Sequence, residues 1–393
     1  MNFYYSGKID LMAKIKNLQK AGNKILNAVK KGEKFIIYGD ADLDGVASVI
    51  VLKESIRNLG GDISAVYFPD RETEGYGITE KALDYLKVFS PALFITLDLG
   101  IGNFEEVKLA KKLGFEVIII DHHQILGKVP QASVVVDPKQ KDDKYPFKGL
   151  ATAGIVFKLS EVLLREKLTK KLRESFLELV ALATIADLMP RLDENNLLIE
   201  EGLDSLRNTW RPGLKAFSFV DSEKNYKSFQ EFTQKIISCL NASEKKDHQN
   251  EAYLLLTEKD ENRAIILAEE LLKKSYQKRL RIKEITEEIE VRILKKQKEE
   301  LIFEGNNNWP LVLLGPAASR ICQKYQKPTF LFRIDKEDSQ GAVRVPSRFD
   351  SVKLMKKCAK LLKTYGGHAQ ASGFRVINGN LEKFKTCLIS QIR

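Results

Sequence analysis

Short apolar runs rich in β-branched residues alternate with amphipathic stretches through the first half of the chain. The runs predict strands over Lys34–Tyr38, Ser64–Phe68, Leu93–Leu97, Glu116–Ile120 and Ser133–Val136. Between them, Val46–Leu59 and Phe104–Leu113 carry apolar residues at helical spacing. That alternation is the pattern of βαβ units around a parallel sheet. After Gly149 the pattern turns helical, from Ala151 to about Ala186. From Glu251 to Leu301 the chain has no Pro or Gly and is rich in Leu, Ile, Glu and Lys, which predicts one long helix. The stretch EGNNNWP should break it and open a second, smaller α/β domain. The expected architecture is therefore α/β: a parallel-sheet domain over residues 1–220, a helical connector over 221–303 and a smaller α/β domain over 304–393.

Composition adds little to the fold but narrows the partners. The 393 residues are 44% hydrophobic and 30% charged, a globular balance that fits two or three domains. The net charge of +11 favours an anionic partner, although a solvated basic surface explains the charge equally well. Cys239, Cys322, Cys358 and Cys387 lack the close spacings of zinc sites or redox pairs and read as reduced core thiols. No apolar run suits a signal peptide or a membrane span, so the expectation is a cytoplasmic protein with no membrane partner.

The chemistry lies at the ends of the predicted strands. YGDADLDG places Asp40, Asp42 and Asp44 on the turn after the first, TLDLG places Asp98 after the third, and IDHHQ places Asp121, His122 and His123 after the fourth. One Asp would suffice to cap a helix; three packed together repel one another unless cations neutralise them. The carboxyl edge of an open parallel sheet is a ligand crevice, so these residues should converge. Two of the chain's four histidines sit there. Carboxylates with an imidazole suit manganese or magnesium. Two such cations would clamp the oxygens of a phosphoryl displacement, which makes phosphoester hydrolysis the expected reaction.

From YGDADLDG through TLDLGI, IDHHQ and ALATIADLMPRLDENNLLIEEGL, the order and spacing resemble the motifs of the DHH phosphoesterases. The resemblance implies that Asp42, Asp44, Asp98, His122 and Asp187 hold the metals, that Asp98 bridges them, and that His123 faces the scissile phosphate. Tyr38 stands where many DHH enzymes carry a metal-binding His, and Asp40 is the residue that would compensate. FPDRETEGYGI, with Arg71 and Tyr76, narrows the resemblance to the RecJ-type exonucleases, and Tyr76 is a candidate for stacking on bases. GGHAQASGF is similar to the signature of the DHH-associated domain, which puts Gly366, Gly367 and His368 near substrate phosphate. WPLVLLGPAASR keeps Ser319 and Arg320, and GAVRVPSR keeps Gly341 and Arg344. LNASEKKD lacks an Arg expected in that loop, and the expectation is a protein without the oligonucleotide-binding barrel that longer RecJ-type proteins append.

What the resemblance implies is a single-stranded-DNA exonuclease of 5′-3′ polarity, dependent on two divalent cations, Mn2+ in preference or Mg2+. Its partner would be single-stranded nucleic acid, DNA rather than RNA, running through a basic interdomain cleft. Two alternatives stay open: a phosphodiesterase for short oligonucleotides or cyclic dinucleotides, and a non-catalytic replication scaffold that has lost metal binding.

Overall fold

The computed structural model describes residues 14–125, 127–220, 226–295 and 299–392. The chain divides into two compact units: the described residues up to Asp70 together with Glu74–Lys273, and Arg71–Thr73 together with Lys274 onward.

The first unit is built on a parallel sheet of β1 (Lys34–Gly39), β2 (Asp62–Tyr67), β3 (Ala92–Leu97), β4 (Phe115–Ile120) and β5 (Val134–Val136), in the order β2-β1-β3-β4-β5. Every expected strand is present within two residues of its predicted bounds. Both faces of the sheet are covered. Phe35 and Ile37 of β1 enter one apolar cluster, while Ile36 and Tyr38 enter the other. Strands buried on both sides read as continuous apolar runs, which is why these segments carry no polar alternation. The chain steps to one side of β1 for β2 and then crosses to its other side for β3. The segments leaving β1 and β3 therefore diverge and open a crevice between them.

The helix Leu43–Asn58 follows β1 and is buried nearly all round, against helices Thr152–Leu164 and Lys170–Ala186. The latter packs along Asp193–Leu206 at very close range. A Cβ on Gly202 would stand 2.1 Å from the Leu177 carbonyl oxygen and 2.6 Å from the Ala181 side chain. β6 (Lys245–Lys246) and β7 (Gln249–Asn250) form a small hairpin.

The second unit holds β8 (Ile302–Asn306), β9 (Thr329–Ile334), β10 (Asp338–Arg344), β11 (Leu362–Gly367) and β12 (Ala371–Ile377), in the order β11-β12-β10-β9-β8. Only the β8–β9 pair in this sheet is parallel, with helix Leu311–Tyr325 as its crossover.

Two expectations are corrected. The long helix is interrupted after Thr257 and resumes as Glu261–Lys295. The break has no Pro or Gly: the Glu258 carboxylate accepts from the amides of Lys259 (2.7 Å) and Asp260 (3.1 Å), and Asp260 accepts from Arg263 N–H (2.8 Å). Side chains that satisfy local amides compete with helix continuation. Of the four cysteines expected to be thiols, Cys239 and Cys322 are free and buried, but Cys358 and Cys387 are joined in a disulfide. Their separation of 29 residues hid the pairing, because the helix Leu381–Ile392 brings Cys387 back to the residue ending Ser351–Lys357. No helix among the described residues is long and apolar enough to cross a membrane.

Gly202→Ala should overpack the helix pair and destabilise the first unit by about 1–3 kcal/mol. Urea unfolding measures this, and an unchanged midpoint would show that the helices can separate without cost.

Candidate metal centre

Three acids continue the sheet by one residue each. Asp40 N–H donates to the carbonyl of Leu97 (3.1 Å), Asp98 N–H to Ile120 (3.0 Å) and Asp121 N–H to Val136 (3.0 Å). Asp40, Asp98 and Asp121 thus stand in a row at the carboxyl edge of β1, β3 and β4. Asp42 caps helix Leu43–Asn58, accepting from Gly45 N–H at 3.1 Å. The turn is tight enough that a Cβ on Gly45 would lie 2.3 Å from the Asp40 carbonyl oxygen. Two asparagines pin the same turn: Asn241 accepts from Leu43 N–H (3.3 Å), and Asn250 donates to the Ala41 carbonyl (2.9 Å).

Asp44 is only 1% exposed and points across to another helix, accepting the amides of Thr152 and Ala153 at 2.8 Å each. Asp98, 2% exposed, has a left-handed backbone (φ 65°) and accepts from the Thr152 hydroxyl at 3.0 Å. His122 is equally buried. Its Nδ1 donates to the Leu150 carbonyl (3.1 Å), which leaves Nε2 as the lone-pair nitrogen. That atom faces Asp98 at 3.3 Å, Asp187 at 3.5 Å and Asp44 at 3.8 Å. Asp187 reaches the cluster from the end of helix Lys170–Ala186.

Asp121 plays a different part. One oxygen accepts from the His122 amide (2.7 Å), the His123 amide (3.1 Å) and His123 Nδ1 (2.7 Å), and the other accepts from Ile101 N–H (3.1 Å). It organises the two histidines. Burial alone would raise its pKa, but the His123 charge and these hydrogen bonds hold it well below the usual carboxylate range. Burial likewise opposes the charge on His123, yet the Asp121 partner pushes it up to about 9.

The remaining acids are driven the opposite way. Burial, and then the charge of Asp42, raise Asp44 to about 7. Burial and the neighbouring carboxylates raise Asp98 and Asp187 well above the ordinary value. The charges of His123 and Lys139 offset only part of this. The ligand atoms of Asp44, Asp98 and His122 lie within 4.8 Å of one another, and so do those of Asp40, Asp42 and Asp98. Oxygen donors with one imidazole fit a hard divalent cation, and Asp98 belongs to both groups, the position a bridging ligand must hold.

A family model described as the DHH family N-terminal domain matches residues 34–184, and one described as the DHHA1 domain matches residues 298–393. The chain carries a DHH domain followed by a DHHA1 domain. The single-stranded-DNA-specific exonuclease RecJ of Bacillus subtilis is 34% identical over 364 residues, covering 91% of this chain and 45% of the relative. The RecJ of Thermus thermophilus is 29% identical, covering 94% of this chain and 54% of its own. The chain therefore spans about half the length of these relatives. A crystal structure of exonuclease RecJ bound to manganese superposes with a TM-score of 0.74 at 26% identity, covering 96% of this chain and 95% of the other.

Within the DHH domain, Tyr38 is turned away from the metal centre. Its ring stacks on Tyr67 (centroids 5.3 Å apart) and its hydroxyl donates to the Gly77 carbonyl (3.0 Å), on the opposite face of the sheet. Asp40 is the residue of that strand end whose oxygen joins the acids. The EGYG segment is anchored by Glu74, which receives the Tyr67 hydroxyl (2.8 Å), the Thr79 hydroxyl (3.3 Å) and the Lys245 ammonium. Lys245 comes from LNASEKKD, so this loop buttresses EGYG. Tyr76 is 55% exposed and is no core residue. Arg71 is half-buried in the short segment that groups with the second unit.

In the DHHA1 domain, Arg344 ends β10 and donates through Nε to the Ser319 hydroxyl (3.1 Å). Arg344 pairs with Ala371 in the sheet register. Gly366 and Gly367 end β11, Gly367 at φ 127°, and His368 turns the chain into Ala371, whose carbonyl accepts its N–H at 2.7 Å. Ser319, Arg344 and the Gly-Gly-His turn therefore share one end of the sheet. Arg320 is exposed on the helix beside Ser319.

Sequence reasoning missed several supports of the centre. Thr152 and the two asparagines carry no motif of their own. Asp137 and Lys139 do carry a signal, because VVVDPK repeats the pattern of an acid directly after an apolar strand. Asp137 accepts from Lys139 N–H (2.7 Å) and is pushed up to about 7 by burial and then Asp121, while the Lys139 ammonium donates to the His122 carbonyl.

These shifts fix the sign of a pH dependence. A carboxyl with a raised folded pKa binds protons that the unfolded chain releases, so its contribution to stability falls as pH rises from about 4 to its folded value. His123, also raised, adds stability below its unfolded pKa of roughly 6.5 that is lost as pH approaches 9. Asp44 acts from about pH 4 to 7 and His123 from about 6.5 to 9, so both effects have the same sign across pH 5 to 8. The Tm of EDTA-treated protein should fall across that range, and Mn2+ should raise Tm more at pH 8 than at pH 5. A Tm that climbs with pH, or a Mn2+ effect independent of pH, would contradict the assignment.

Proposed function

We propose that the chain is a metal-dependent exonuclease that hydrolyses phosphodiester bonds of single-stranded DNA, with 5′-3′ polarity. In this reading residues 1–220 carry the chemistry, 221–303 connect, and 304–393 bind substrate. The observation that carries it is Asp98, a buried acid common to two ligand groups at the sheet edge. The curated relatives named as single-stranded-DNA-specific exonucleases and the manganese-bound RecJ structure support the substrate and the cation.

Asp42, Asp44, Asp98, His122 and Asp187, with Asp40, would hold two divalent cations, Mn2+ in preference to Mg2+. Bound there, the cations supply charge neutralisation for the phosphoryl group and a hydroxide at neutral pH. The chain's own residues supply the rest. His122 is fixed in one tautomer by the Leu150 carbonyl, so its Nε2 lone pair is directed at the acids. His123 is oriented through Nδ1 by Asp121, whose charge favours the protonated ring, and would donate through Nε2–H to an oxygen of the scissile phosphate. Asp44 is locked by two amides and cannot swing aside. Arg71, Ser319, Arg320, Arg344, Gly366, Gly367 and His368 are the phosphate-facing set, with Arg344 held in place by Ser319. Tyr76 is exposed enough to stack on a base.

An end-labelled single strand, a blunt duplex and a dinucleotide incubated with Mn2+ separate this reading from a short-oligonucleotide phosphodiesterase and from a silent scaffold. The single strand should be degraded preferentially. Asp98→Asn should reduce that activity by more than the roughly 10–100-fold that losing an outer-shell partner costs. Hydrolysis by the variant at the parent rate would remove Asp98 from the centre.

A further inference from the structure

Helix Lys170–Ala186 delivers Asp187 to the metal centre and then stops at once. Two hydrogen bonds close it, Leu188 N–H to the Ile185 carbonyl (3.2 Å) and Met189 N–H to the Thr184 carbonyl (3.1 Å). This pattern requires a left-handed residue just past the last turn, a position that ordinarily falls to Gly because a Cβ there crowds the following carbonyl. The residue here is Leu188, at φ 56°. The other left-handed non-glycine residues among those described are Asn17, Asp98, Arg165, Asp193, Asp247, His248 and Gln326, all polar. Asn, Asp and His tolerate the conformation best; a bulky aliphatic residue is an outlier.

Packing does not explain the exception. Leu188 is 79% exposed, more than any other large apolar side chain among the described residues. The fold therefore keeps a strained backbone and a largely exposed leucine at the residue next to a candidate ligand. Consecutive Cα atoms lie about 3.8 Å apart, so the exposed Leu188 begins one residue from the candidate ligand Asp187. Strain of this kind is kept where a bound molecule uses it.

We propose that Leu188 is a substrate-binding residue whose side chain packs on the face of the nucleobase beside the scissile phosphate. The inference rests on the single-strand exonuclease reading. The phosphate is the part of a nucleotide that cations and His123 attract, and the base is the part an aliphatic side chain attracts. A base face is available in a single strand and stacked away in a duplex, so this contact would also favour single strands.

The test compares the parent with Leu188→Gly and Leu188→Asn, both residues that accept the left-handed conformation. Thermal unfolding, Mn2+ affinity by calorimetry, and KM and kcat on a labelled single strand with Mn2+ are measured for each. The variants should melt at or above the parent Tm and keep its Mn2+ affinity. Their KM should nonetheless rise roughly three- to tenfold, the scale of losing part of one buried aliphatic side chain. The loss should shrink on an abasic strand of the same length. An unchanged KM, or a lowered Tm with equal losses on both strands, would make Leu188 a helix terminus and nothing more. Failure of the parent itself to degrade the single strand would instead overturn the exonuclease reading, and this proposal with it.

Discussion

Carboxylates removed from water cannot stay ionised side by side, and the first unit is arranged around that difficulty. Asp44, Asp98 and Asp187 surround one imidazole nitrogen, and burial with repulsion from neighbouring carboxylates, Asp42 among them, lifts all three above their ordinary pKa. The sheet brings them together because the strand order β2-β1-β3-β4-β5 opens its crevice where Asp40–Asp44 and Asp98 emerge. Backbone amides then orient the acids without neutralising them. Two amides of helix Thr152–Leu164 fix Asp44, and Gly45 N–H fixes Asp42. A divalent cation is the partner that makes this arrangement favourable.

A second layer keeps the donors aimed. Asp121 uses both oxygens on the two histidines and Ile101, which favours the charged form of His123, while the Leu150 carbonyl leaves His122 Nε2 as the lone-pair donor. Lys139 places a cation on the His122 carbonyl, and Asn241 and Asn250 hold the turn that presents Asp40 and Asp42. Such outer contacts fix geometry and donor strength at metal sites.

Much of this was legible in the sequence. Strands covered on both faces are bare apolar runs, and an Asp directly after such a run stands at the sheet edge whatever the rest of the fold does. That logic located Asp40, Asp98 and Asp121, and the family resemblance added Asp187. Thr152, Asn241 and Asn250 escaped because their partners lie far away in the chain, and hydrogen bonds made by tertiary contact leave no local pattern. The interruption at Glu258 was hidden because Glu, Lys and Asp are acceptable helix residues, and only the local side-chain bonds reveal the stop. The left-handed turn at Leu188 was invisible for the same reason: leucine signals helix or core, and neither applies there.

The central claim is that Asp98 is shared by two cations. Electron paramagnetic resonance on protein titrated with Mn2+, alongside calorimetric stoichiometry, tests it most directly. The account predicts two Mn2+ per chain and a spin-coupled pair signal that Asp98→Asn abolishes. A single uncoupled Mn2+ per chain at saturation, with the same spectrum in the variant, would contradict it.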